Sequence, residues 1–141
     1  MITEDYVSFE TAKLLKEKGF DSECHSHYYP CHYPDGSIKY VKYNGAQRGT
    51  KRWYDVCSLK NLPKDHYLTP TLQMAMKWLR DTFHLEIYPF HDAIQENNDW
   101  WYRIERHSKG CSLTEHESDI IYKTYEEACE AAIKYCLENL I

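Results

Sequence analysis

Three segments of this chain combine helical hydrophobic spacing with a cap, and whatever lies between them is left to strands and loops. In SFETAKLLKEKGF, Ser8 is placed as N-cap, with Val7 and Ala12 as a hydrophobic staple. Phe9, Ala12 and Leu15 share one face, Gly19 supplies a left-handed stop, and Phe20 folds back on Leu15. In TPTLQMAMKWLRDTF, Thr69 caps and Pro70 takes the first helical position. Leu72, Ala75, Leu79 and Phe83 form its main stripe, widened by Met76 and flanked by Met74 and Trp78. The third segment opens with a capping box, Thr124 and Glu127, and turns Ala128, Ala132, Cys136 and Leu140 inward.

Between these helices, IKYVKY ends at Asn44-Gly45, a hairpin signal, and RWYDVCSL follows as its expected partner. LEIYPF, WWYRIER and IIYK are expected as three further strands, with QENND and HSKGCSLTEHESD as loops. The order helix, strands, helix, three strands, helix gives an α+β fold with a mostly antiparallel sheet. At 141 residues, without a Pro-, Gly- or Ser-rich linker, a single domain over residues 1–141 is expected.

A formal charge of −5 argues against a protein that is basic all over. No apolar run reaches membrane-spanning length, and the start MITEDYVSFE lacks the pattern of a secretory leader. A cytoplasmic location is expected, with no membrane partner and with the six cysteines as thiols. Cys129 and Cys136 lie seven residues apart on one helix, about 10 Å of rise, too far for a bridge.

The stretch SECHSHYYPCHYPDGS is rich in soft ligands. On a strand, His25 and His27 project from one face, and Cys24, Cys31 or His32 could complete a zinc site. No CxxC or HxxxH pair occurs, however, and a chain of this length does not need a metal to hold its shape. The stretch is better read as a polar hairpin turning at Pro34-Asp35-Gly36, with Cys24 as a small buried hydrophobe and no cofactor. The five scattered glycines form no phosphate-cradling loop, and no nucleophile elbow or zincin motif is present, so no catalytic residue is assigned.

Two features remain as candidate binding elements. Between Ser37 and Tyr54 lie Lys39, Lys42, Arg48, Lys51 and Arg52 with no acid, interleaved with aromatic residues including Trp53. Such a hairpin could meet phosphates and stack bases, although an edge hairpin protected by lysines is the simpler reading. Trp100, Trp101 and Tyr102 cannot all face one core, which marks Trp101 as a residue available to a partner. The second half has the element order of a double-stranded RNA-binding domain, but its last helix opens TYEEACEAA, acidic where that fold needs lysines.

VSFETAKLLKEKGF, PTLQMAMKWLR and YKTYEEACEAAIKYCLENL together resemble a family of small proteins of gut Bacteroidales and their phages and mobile elements. The resemblance covers the helices, about a third of the chain. It implies an origin and no activity. On these grounds the expected function is a non-enzymatic accessory module that binds a protein partner or itself, with nucleic-acid binding by the basic hairpin as the alternative and zinc binding as the third.

Overall fold

The computed structural model describes residues 5–44, 62–92 and 99–141. Among the described residues it is an α+β structure with three α-helices and two three-stranded antiparallel sheets. Contacts group the chain into two compact units, Tyr6–Thr71 and the remainder, Met1–Asp5 with Leu72–Ile141.

In the first unit, helix α1 (Phe9–Glu17) is followed by strands β1 (Ser26–His32), β2 (Ile38–Asn44) and β3 (Tyr67–Leu68), in the order β2-β1-β3. Ser8 caps α1, its hydroxyl accepting from the Thr11 amide. Gly19 adopts φ +90, and the Phe20 amide donates to the Leu15 carbonyl, so the helix ends as its sequence demands. Phe9 anchors α1 on the sheet, stacking on Tyr40 at 4.3 Å and meeting Tyr28 and Tyr67 edge-on. The β1–β2 hairpin turns where Pro34-Asp35-Gly36 places it: Gly36 takes φ +85, and the Asp35 carboxylate accepts from the Ser37 amide and hydroxyl. Those bonds hold the Asp35 carboxyl below its usual range. Pro30 fits within β1 because β3 pairs only with His27 and Tyr28 and stops short of it.

In the second unit, α2 (Leu72–Phe83), β4 (Leu85–Asp92), β5 (Asp99–Ser108), β6 (Cys111–Glu117) and α3 (Tyr125–Tyr135) follow in order, and a π-helical turn, Cys136–Leu140, closes the chain. The sheet runs β4-β5-β6 with every pairing antiparallel. One face is covered by α2 and α3, and its side chains Leu85, Ile87, Tyr102 and Ile104 are buried with Ala75, Leu79, Ala132 and Ile133. Burial pushes the Tyr102 hydroxyl well above its ordinary value. Thr124 caps α3, accepting from the Glu127 amide, while the Glu127 carboxylate accepts from the Lys123 amide, close to the expected box. His84, at φ 59, turns the chain from α2 into β4. Pro89 lies in β4, which forms an edge of this sheet among the described residues.

The structure differs from expectation at two places. Helix α2 begins at Leu72 rather than Pro70, because the preceding residues are held in extended pairing. The Thr69 amide donates to Ser26, the Pro70 carbonyl accepts from Val7, and Thr71 bridges Tyr6. The third strand of the second sheet is Cys111–Glu117, inside the stretch expected as a loop, whereas IIYK contributes only the isolated bridge of Tyr122 to Trp100. Strand β2 pairs with β1 across the expected turn, and RWYDVCSL, expected as a partner of IKYVKY, lies outside the described residues. No helix among the described residues is long and apolar enough to cross a membrane.

Candidate functional site

Of the basic hairpin residues, Lys39 and Lys42 are described, and they sit three positions apart on β2, on opposite faces of the sheet. The Lys42 ammonium lies 4.5 Å over the Tyr6 ring and that of Lys39 5.4 Å over Tyr33. These two charges therefore do not form one phosphate-facing stripe. Arg48, Lys51, Arg52 and Trp53 lie outside the described residues.

The cysteine–histidine stretch becomes β1 and the approach to it. Cys24 is buried and its thiol reaches the Ser22 carbonyl at 3.4 Å, while His25 and His32 are exposed. His27 and Cys31 share a face that His32 does not. The His27 ring packs among Tyr29, Tyr43 and His66, stacking on the last at 5.3 Å. Burial, then the neighbouring His66, lowers its pKa. Among the described residues no three His, Cys, Asp or Glu side chains are grouped to hold an ion.

Trp101 leads to a more organised surface. Strand alternation divides the three consecutive rings: Tyr102 enters the core, and Trp100 turns to the helix side, edge-on to Tyr125 at 5.3 Å. Trp101 projects from the opposite face. There it stacks on its cross-strand neighbour Phe90, 4.4 Å between centroids and 17° between planes. The Arg103 guanidinium spans both rings, 5.3 Å from Phe90 and 5.7 Å from Trp101. Glu117 of β6 accepts from Arg103 at 2.8 Å, and Glu105 lies 3.9 Å away. Phe90 and Trp101 are each half-buried, so ring surface stays open to a ligand.

The charges on this face follow a pattern. The cross-strand pairs run Glu86 with Glu105, Tyr88 with Arg103, Phe90 with Trp101, and Asp92 with Asp99. Like charges thus stand opposite each other on both sides of the aromatic centre, an arrangement that costs stability. Arg80 of α2 reaches Glu86 at 3.1 Å, and Ser112 donates to Glu105. Burial, then Glu105 and Glu86, raises the Tyr88 pKa. The alternation in LEIYPF and WWYRIER carried the signal for this face, but Phe90, Arg103, Glu105 and Glu117 stand out only once the register of the two strands is known.

On the helix side, an open cleft of roughly 470 Å³ lies between His91, Trp100 and the start of α3. Lys123 and Glu126 share its rim, so it selects no single ligand charge. The buried thiols offer no nucleophile: burial pushes Cys129 up to about 11 and Cys136 to about 12, keeping both neutral near pH 7. Comparison of the chain with protein-family models, curated proteins and solved structures gives no match.

Proposed function

We propose that the protein is a non-enzymatic protein-interaction or self-associating accessory module, with the face of β4–β5–β6 opposite α2 and α3 as its contact surface. One observation carries this reading: Phe90 and Trp101 are stacked, half-exposed and clamped by Arg103 on a face that neither α2 nor α3 covers. Tryptophan, tyrosine and arginine dominate the energetic centres of protein interfaces, because large rigid rings lose little entropy on contact. Here the rings are pre-ordered by stacking and by the ion pair of Arg103 with Glu117. The resemblance of the helical segments supports an origin in phages or mobile elements of gut Bacteroidales. Unbridged thiols at Cys31, Cys111, Cys129 and Cys136 fit the reducing bacterial cytoplasm.

The test compares wild-type protein with Trp101→Ala and Phe90→Ala variants in pull-downs from the native host, alongside light scattering. A specific captured protein, or a dimer, should be weakened about tenfold or more by either substitution. Capture and association that are indifferent to both rings would remove this face from the proposal.

A further inference from the structure

The geometry points to a cationic, extended polypeptide segment as the occupant of the β4–β5–β6 face, arginine or lysine side chains settling on the Phe90–Trp101 rings between flanking carboxylates. This deepens the proposed function and rests on it.

The charge of the face decides among occupants. Glu86, Asp92, Asp99, Glu105 and Glu117 project from it, against Arg103 and the reach of Arg80 from α2. Of the two occupants proposed above, a protein partner and a second copy, the second copy would bring the same excess of carboxylates and is disfavoured; a nucleic acid would bring phosphates, which are repelled. A basic segment is attracted by this excess of carboxylates, and it would offset the facing of Glu86 by Glu105, which Arg80 and Ser112 already answer in part.

The manner of contact is already displayed within the chain. Arg103 lays its guanidinium over both rings while its Nε donates to Glu117, which combines a cation–π contact with a carboxylate. A partner arginine on the remaining ring surface would repeat that arrangement with Asp92 and Asp99 on one side or Glu86 and Glu105 on the other. Successive rows of a sheet lie two residues apart along the strand, so an extended segment with basic side chains at alternate positions matches the spacing.

The experiment titrates the full chain, following tryptophan fluorescence and calorimetric heat, with three probes: a peptide alternating arginine and valine, the same peptide with glutamate for arginine, and a single-stranded oligonucleotide. The arginine peptide should bind, weaken about fivefold or more between about 0.05 M and about 0.3 M salt, and weaken about tenfold in Trp101→Ala. The pair Glu86→Gln with Glu105→Gln leaves the rings in place and trades the ion pair of Glu86 with Arg80 against a like-charge contact, so it should weaken binding with only a small change in melting temperature. The inference falls if the glutamate peptide or the oligonucleotide binds as well, if the arginine peptide does not bind, or if neutralising both carboxylates changes nothing. Should host capture still depend on Trp101 while the arginine peptide fails, the contact face stands and the cationic partner is wrong. If neither depends on Trp101, both readings fall together.

Discussion

The imidazole of His116 lies flat on the phenol ring of Tyr135, with 3.7 Å between centroids and 6° between planes. It ties the outermost strand of the second sheet to its last helix, where β6 otherwise offers mostly exposed side chains. Replacing His116 by alanine should cost about 1 kcal/mol of stability, the usual worth of a stacked pair. Urea denaturation followed by circular dichroism would measure it, and Tyr135→Leu should lose a similar amount.

Arg106 fastens three parts of the same unit. Its guanidinium donates to Glu115 at 2.7 Å, to the Leu140 carbonyl at 3.2 Å and to the Phe83 carbonyl at 3.4 Å. Arg106→Met should destabilise the protein by about 2 kcal/mol, because carbonyls ending α2 and the chain lose a charged donor. Arg106→Lys should recover only part of this, since an ammonium cannot reproduce the planar fork. Hydrogen exchange should show the added mobility first at residues 136–141.

A left-handed conformation at His84 carries a side chain that disfavours it. His84→Gly should raise stability by about 0.5–1 kcal/mol, the strain relieved being partly offset by the freer unfolded chain. The backbone bonds from His84 to Arg80 and from His107 to His84 are unchanged by the substitution. Thermal melting would read the gain.

The thiols of Cys129 and Cys136 set an alkaline limit. Their folded values near 11 and 12 exceed the ordinary thiol value of 9.0, so the unfolded chain releases protons first as pH rises. Stability is therefore fully present below about pH 9 and declines as pH climbs toward those folded values. Tyr102, also raised by burial, adds to the decline at higher pH. Melting temperature should fall between pH 8.5 and pH 10.5, and Cys129→Ala with Cys136→Ala should show a shallower slope despite a lower starting point. Iodoacetamide at pH 8 should label exposed Cys111 well before either buried thiol.

The helices were legible because their signals are local. Ser8, Gly19 and the Thr124–Glu127 box each act within one turn, and the structure uses all of them. The start of α2 was not, since residues 69–71 obey hydrogen bonds to Val7 and Ser26 rather than their own helix signals. Strand β6 was hidden for a different reason. Cys111, Ser112, Leu113 and Thr114 are all exposed, so no alternation of apolar and polar residues marks the strand. The proposed contact face was half legible. Trp101 could be singled out from the run of three rings, but its pairing with Phe90 and the placing of Glu117 beside Arg103 depend on cross-strand register.

Pro89 bears on how a visitor can approach the second sheet. A proline ring offers no amide proton, and on a border strand it turns its nitrogen outward. An incoming chain that tried to zip alongside β4 would find the ladder interrupted midway, so the sheet is guarded there against lengthening by accretion. A partner of the proposed kind would thereby be steered to lie across the flat of the sheet instead of along its rim.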